Sequence, residues 1–121
     1  MISDKADKVV VDKVVAESCG KAISLAGKTS LKELFGIIGR AEYFISNDTG
    51  PMHIAAAMKV PVFAVFGPAN PDRTGPYGDH SIIREDIECA PCYRWKPCEN
   101  WRCMEDITVD RVLAEINSKV G

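Results

Sequence analysis

Apolar residues recur at helical spacing in three stretches of the chain, and each stretch is expected to bury one face. The stretches are Asp7–Cys19, Leu31–Ile38 and Val109–Val120. The predicted apolar face of the first helix consists of Val10, Val11, Val14, Val15 and Ser18. Ser30 and Glu33 have the spacing of a capping box for the second helix, and Thr108 is placed to cap the third.

Four short runs between these helices predict strands. They are Ala22–Ala26, Tyr43–Ser46, Val62–Phe66 and Ser81–Arg84. The run Val62–Phe66 is nearly all apolar, as expected of a strand that is covered on both faces. Strands that alternate with helices favour an α/β fold with a parallel sheet. The first helix has no predicted strand before it, although a doubly wound half normally starts with one.

A further helix is predicted directly after the second strand. It begins at Pro51, with Gly50 as its cap, and runs to about Met58. The carboxyl ends of strands in open α/β sheets are where ligands bind, and the free N–H groups of a first helical turn favour an anion such as phosphate. The run Ser46–His53 is therefore a candidate anion site.

Individual residues of this run suit that chemistry. Thr49 can add a hydroxyl donor, Gly50 lets the backbone approach closely, and His53 in the first turn can face the same anion. Asp48 accepts hydrogen bonds when ionised, so it suits sugar hydroxyls better than phosphate. The alternative is a helix with an ordinary cap, because Asp and Thr are common before helix starts.

Two other loops are expected at the same edge of the sheet. Gly27, Lys28 and Thr29 follow the first predicted strand, and Gly67–Thr74 follows the third. The stretch Pro68–Gly78 contains three prolines and two glycines, which is typical of a loop. Each loop alone is equally well explained as a surface turn, so the hypothesis rests on the convergence of all three.

Four of the five cysteines lie in the segment 89–103, which is predicted to be irregular. They are Cys89, Cys92, Cys98 and Cys103. Four thiolates are what a closed tetrahedral zinc site requires, so these four cysteines are candidate ligands of a structural zinc ion. An iron–sulfur cluster, disulfides formed on oxidation and packed thiols are the alternatives. Cys19, at a helix end, is interpreted as a packing residue.

Composition narrows the classes of partner. The chain has 121 residues, 46% of them hydrophobic, which fits one domain over 1–121. Its net charge is −2, so no general basic field is available to bind nucleic acid. The apolar stretch around Val60–Phe66 is too short to cross a bilayer. The clustered thiols indicate a reducing compartment.

Taken together, these motifs resemble the lipopolysaccharide heptosyltransferases of glycosyltransferase family 9. The resemblance is carried by Leu25–Leu31, Ser46–Ala57 and Pro61–Pro68, and by the cysteine pattern up to Cys103-Met104. It implies a Rossmann-like parallel sheet that forms the incomplete C-terminal, donor-binding half of a GT-B glycosyltransferase fold. The expected donor is an ADP-activated heptose, and the expected acceptor is the lipopolysaccharide inner core.

The resemblance also assigns roles to residues. Asp48, Thr49, Gly50 and His53 match the motif that holds the donor's sugar and diphosphate, and Gly27–Thr29 matches the loop against the nucleotide. The family's catalytic base, an aspartate, belongs to an N-terminal domain that also meets the acceptor. No catalytic residue is therefore assigned in this chain, and the isolated chain is expected to be inactive.

Three further expectations follow. A non-catalytic nucleotide- or metal-binding module that reuses the same fold is the alternative function.

The family resemblance implies a cytoplasmic protein, peripheral at the inner face of the bacterial inner membrane. A gap in the sheet between Ala22–Ala26 and Tyr43–Ser46 would expose strand edges, so a homodimer through an exposed edge is expected.

Overall fold

The first 37 residues form a unit in which the chain pairs with its own N-terminus. The computed structural model describes residues 1–92, 98–99 and 101–120, and it divides into this first unit and a second unit that starts at residue 38. A 3-10 turn at Lys5–Asp7 leads into helix α1, Lys8–Glu17. Helix α2 covers Leu31–Ile38.

No regular strand forms at Ala22–Ala26, so the prediction of a strand there was wrong. The segment instead runs beside the first three residues of the chain. The amides of Leu25 and Gly27 donate to the carbonyls of Met1 and Ser3 at 2.9 Å each, and the terminal amine of Met1 donates to the carbonyl of Ile23. These bonds have the two-residue spacing of a strand pair, but three residues are too short a partner for a full ladder. The place of the strand expected before α1 is taken by Met1–Ser3.

The buried face of α1 is narrower than the sequence predicted. Val11 is buried, and Val15 and Ser18 are half-buried. Val10 and Val14 are exposed, because they lie about 100° around the helix from Val11 and Val15. The apolar stripe of this helix is therefore centred on Val11 and flanked by uncovered valines.

The end of α1 also corrects the interpretation of Cys19. Cys19 is exposed and has a φ of 53°, so it turns the chain after the helix and is not a packing residue. Gly20 follows with a φ of 80°. Two successive residues in the left-handed region end the helix and redirect the chain.

The capping box of α2 is confirmed. The amide of Ser30 donates to the Glu33 carboxylate at 3.1 Å, and the amide of Glu33 donates to the Ser30 hydroxyl oxygen at 3.2 Å. The Ser30 side chain, and secondly its backbone amide, lower the pKa of Glu33 below its ordinary value. The carboxylate form is therefore favoured in the folded chain.

A pH-dependent contribution to helix stability follows from this box. Since the folded pKa is depressed, the stabilisation is present above the unfolded pKa and is lost as the pH falls through the folded value. We expect the wild type to be more stable than Glu33→Gln at pH 7, with the difference shrinking as the pH falls below the ordinary pKa of a glutamate. Urea unfolding of both proteins at pH 7 and at successively lower pH measures this, and a difference independent of pH would contradict it.

The second unit is built on a three-stranded parallel sheet. Its strands are β1 (Phe44–Asn47), β2 (Val62–Phe66) and β3 (His80–Arg84), in the order β1-β2-β3. The predicted bounds of β2 are confirmed, whereas β1 is displaced by one residue and β3 begins one residue earlier. In the register, Asn47 lies opposite Val65 and Phe66 lies opposite Arg84, so the carboxyl ends of all three strands meet at one edge.

The core of this unit lies on both faces of β2. Four of its five residues are buried, as the apolar run predicted. Phe63 packs in a cluster with Ile83 and Ile116, and the ring of Tyr43 meets the Phe63 ring edge-on with centroids 5.8 Å apart. Because β2 is covered on both faces, its position is fixed, and so is the point at which the loop after its carboxyl end emerges.

Helices complete the second unit. They are α3 (Gly50–Ala57), α4 (Pro71–Thr74), α5 (Arg102–Glu105) and α6 (Val109–Val120). Helix α3 packs on β1 and β2, and α6 packs on β3. Thr108 caps α6 as predicted, accepting from the amide of Arg111 at 3.2 Å. Among the described residues, none of the helices has the length and apolar character that crossing a bilayer requires.

The N-terminal turn of α6 is tied to the end of β3. The Arg111 guanidinium donates to the Arg84 carbonyl at 2.6 Å and pairs with Glu85. Ile116 then reaches the core, while Val109 and Leu113 of the predicted stripe remain exposed. A short α4 and α5 lie within segments that the sequence predicted to be irregular.

Candidate functional site

Two loops meet at the carboxyl edge of the sheet. One follows β1 and the other follows β2, and a hydrogen bond joins them across 26 residues of sequence. The Thr74 hydroxyl donates to the Asp48 carboxylate at 3.1 Å. Because β1 and β2 are parallel neighbours, their following loops emerge side by side, and this bond fixes one against the other.

The β1 loop presents hydroxyls next to a helix start. The hydroxyls of Ser46 and Thr49 lie 3.2 Å apart, and the Ser46 hydroxyl donates to the Asn47 carbonyl at 2.8 Å. Thr49 has extended backbone and is the N-cap of α3, so Gly50 is the first helical residue and not the cap that the sequence predicted. In the described structure the Thr49 side chain makes no capping hydrogen bond. Pro51 has no N–H, and the Met52 amide donates to the Thr49 carbonyl at 3.2 Å. Among the described hydrogen bonds, the Gly50 amide of this turn is therefore left for another acceptor.

Helix α3 divides into a buried and an outward-facing side. Met52 and Ala55 are fully buried and fix the helix on the sheet. His53 and Gly50 are exposed. His53 thus lies in the first turn, at the positive end of the helix dipole, where its imidazole is accessible to an anionic ligand.

The β2 loop is ordered by its own short helix. The Asn70 side chain caps α4 by accepting from the Asp72 amide at 3.0 Å, and the Thr74 hydroxyl lies 3.3 Å from the Asn70 carbonyl. Sequence reasoning placed the segment 67–74 at this edge but did not single out Thr74 or Asn70. The Asn-Pro-Asp order is a cap signal that could have identified α4, but nothing local indicates the bond to Asp48.

The loop Gly27–Thr29 belongs to the first unit. Gly27 has a φ of 66°, and a Cβ there would lie 3.1 Å from the Cβ of Lys5, so glycine suits this turn. The Lys28 amide donates to the Leu25 carbonyl at 3.0 Å, and the Lys28 ammonium approaches the Ser24 carbonyl at 3.5 Å. The structure thus shows a tight turn, and its meeting with the other two loops stays a prediction.

The four clustered cysteines border a single cavity in the second unit. Cys103 is buried, Cys98 is half-buried, and Cys89 and Cys92 are exposed. Burial raises the pKa of the Cys103 thiol, and negative charge on the other three sulfurs raises that pKa further. In the part of the chain that the structure describes, no three Cys, His, Asp or Glu side chains are arranged as metal ligands.

Comparison with known proteins defines the class. The model of glycosyltransferase family 9 (heptosyltransferase) matches residues 1–101. This match covers most of the chain, including both loops of the carboxyl edge. The chain therefore belongs to glycosyltransferase family 9, and the resemblance inferred from its motifs is confirmed.

Individual relatives agree with this assignment. The chain is 33% identical over 106 residues to lipooligosaccharide heptosyltransferase 2 of Campylobacter jejuni serotype O:6, covering 85% of this chain and 34% of the relative. It is 34% identical over 97 residues to lipopolysaccharide heptosyltransferase 2 of Escherichia coli K12, covering 78% and 28%. The chain thus spans about a third of the length of these curated relatives.

Solved structures confirm the fold class. The structure of E. coli ADP-heptose lipopolysaccharide heptosyltransferase II matches with a TM-score of 0.79 and 30% identity, covering 97% of this chain and 34% of that one. The family 9 glycosyltransferase of Veillonella parvula matches with the same TM-score and 26% identity. The α/β architecture with its parallel sheet is that of GT-B glycosyltransferases, of which this chain matches one part.

Proposed function

We propose that this chain provides the donor-binding part of a heptosyltransferase that moves heptose from ADP-heptose to the lipopolysaccharide inner core. The observation that carries the proposal is the bond from Thr74 to Asp48, which unites the two strand-end loops beside the start of α3. Membership of family 9 supplies the reaction class, and the E. coli structure is that of an ADP-heptose lipopolysaccharide heptosyltransferase.

The chemistry of this edge suits a nucleotide diphosphate sugar. The Gly50 amide and the positive end of the α3 dipole favour the diphosphate. The Thr49 hydroxyl and the exposed His53 imidazole add donors to the same anion. The Asp48 carboxylate accepts hydrogen bonds from the sugar hydroxyls, while its bond from Thr74 keeps it in place.

In an inverting sugar transfer, different residues act on the acceptor and on the leaving group. A base deprotonates the acceptor hydroxyl, which attacks the anomeric carbon while ADP leaves. The residues of the proposed donor site act on the leaving side, where charge develops on the diphosphate and fixed donors stabilise it. We expect this chain by itself to bind the donor without transferring the sugar, and the full enzyme to act at the cytoplasmic face of the inner membrane.

A binding measurement tests the donor site. We expect ADP-heptose to bind the wild-type chain weakly, and the double variant Thr49→Val/His53→Ala to bind it several-fold more weakly, because two donors to the diphosphate are removed. Isothermal titration calorimetry with millimolar donor measures both affinities. Circular dichroism of the variant verifies that its helix content is retained.

His80→Ala serves as the matched control. His80 is an exposed histidine at the amino end of β3, and its Nδ1 contacts only the nearby Gly78 carbonyl among its described hydrogen bonds, at 2.8 Å. Its removal should leave ADP-heptose affinity unchanged. Absence of binding heat from the wild type, or equal weakening by His80→Ala, would overturn the proposed site.

A further inference from the structure

The cysteine pocket is the second place where chemically active side chains converge. We define it as the cavity bordered by the four thiols of the carboxyl-terminal segment, together with Trp101 and Arg102. Its cysteines are Cys89, Cys92, Cys98 and Cys103. The proposed transfer reaction uses none of them, so their convergence requires a separate explanation.

The cysteine pocket is fastened to the loop that follows β2. The Cys92 amide donates to the Pro68 carbonyl at 2.8 Å. On the other side, the Cys103 sulfur lies 3.5 Å from where a Cβ on Gly67 would be, and the Met104 sulfur would lie at only 2.4 Å. Gly67 therefore leaves the space into which this segment packs, directly beside the loop that carries Thr74.

The surroundings of the sulfurs suit thiolate ligands. The Trp101 amide donates to the Cys98 sulfur at 3.3 Å, and hydrogen bonds to sulfur are typical of the outer shell of metal–thiolate sites. The Arg102 guanidinium borders the same cavity and lies 3.6 Å from Glu88 and 3.5 Å from Asp106. These two ion pairs hold the Arg102 side chain at the border of the cavity.

We propose that these four cysteines bind one zinc ion, which fastens the carboxyl-terminal segment under the β2 loop. The two pairs are separated by two and by four residues, and both spacings are found in structural zinc sites. Zinc with four thiolates is tetrahedral and closed, so the ion has a structural role and leaves no position for a substrate. Each thiol loses its proton when it binds, and the charge of the ion offsets two of the four negative charges.

The cavity between the sulfurs is small. It has a volume of about 20 Å³, which is room for about one water-sized sphere and matches the size of a single ion. The described sulfurs border this space without yet having metal-ligand geometry. Binding therefore requires Cys89 and Cys92, which are exposed, to close onto Cys103, and such coupling of local folding to metal binding is common in structural zinc sites.

Elemental analysis and cobalt substitution test the proposal. We expect protein prepared with reductant and without chelator to contain about one zinc per chain. Replacement by Co²⁺ should give the visible absorption of tetrahedral cobalt thiolate. Removal of the metal with a chelator should lower the melting temperature, and addition of zinc alone should restore it.

Two matched variants locate the ion. Cys89→Ser should weaken zinc affinity by more than about tenfold, since even outer-shell changes cost that much. Cys19→Ser, an exposed cysteine of the first unit, should leave zinc content unchanged. Both exposed positions tolerate a hydroxyl, so folding of the variants is not at risk.

Three results would overturn the zinc site. The first is metal-free protein that takes up no zinc and reacts with five equivalents of thiol reagent, one for each cysteine including Cys19. The second is a mass lower by two hydrogens per disulfide in the reduced preparation. The third is a coloured iron–sulfur chromophore. None of these results affects the donor site, because calorimetry with ADP-heptose tests that site independently.

Discussion

Replacement of Phe63 by alanine is expected to cost about 3–5 kcal/mol of unfolding free energy. Phe63 is 1% exposed at the centre of β2 and packs against Ile83, Ile116 and the ring of Tyr43. The cost combines lost burial with the cavity that remains. Since domains of this kind have only about 5–15 kcal/mol in total, the variant should lose a large fraction of its stability.

Graded and control variants keep this prediction testable if Phe63→Ala fails to fold. Ile83→Val removes one methylene from the same cluster and should cost about 0.5–1.5 kcal/mol. Tyr77→Ala removes an aromatic ring that is 86% exposed and should have little effect. Chemical denaturation measures all three, and a Tyr77→Ala loss as large as that of Phe63→Ala would contradict the described core.

Two glycine-to-alanine substitutions are expected to have opposite signs. A Cβ at Gly75 would lie 2.3 Å from the Pro71 carbonyl oxygen, which accepts the Gly75 amide at 2.7 Å. The backbone must shift to relieve this overlap, at a cost of about 1–3 kcal/mol. Gly36→Ala, within α2, meets nothing within 4 Å and should stabilise the chain by about 0.5–1 kcal/mol.

The Gly75→Ala and Gly36→Ala variants also test whether the conformation of the β2 loop affects the proposed donor site. Displacement of the Pro71–Thr74 turn by Gly75→Ala should break the bond between Thr74 and Asp48, and ADP-heptose affinity should fall with it. Gly36→Ala should leave affinity unchanged. Thermal melts and calorimetry on both variants measure the two effects. Stabilisation by Gly75→Ala, or unchanged affinity, would show that the loop does not hold the site.

Features that depend on neighbouring residues could be predicted from the sequence. The bounds of β2 follow from its unbroken apolar run, and the capping box of Ser30 and Glu33 follows from their spacing. The start of α3 was predicted to within one residue, because Thr49 and Gly50 are both acceptable caps. Each of these features is determined by residues that are close together in the sequence.

Features that depend on distant partners could not be predicted. The bond from Thr74 to Asp48 joins residues from different loops, and neither residue identifies the other. Val10 and Val14 share the valine pattern of Val11 but are exposed, since burial depends on what covers each face. The segment Ala22–Ala26 has the composition of a strand, yet the only strand-like partner that it and Gly27 have among the described residues is Met1–Ser3.

The most direct test of the proposed donor site is a map of amide chemical shifts by NMR on titration with ADP-heptose. The 13.2 kDa chain is small enough for residue-by-residue assignment. We predict that amides in the loops 47–53 and 67–75 shift together with one apparent affinity, while those at the amino edge of the sheet, near Glu42 and His80, do not. Shifts confined to the amino edge, or none at millimolar donor, would contradict the account.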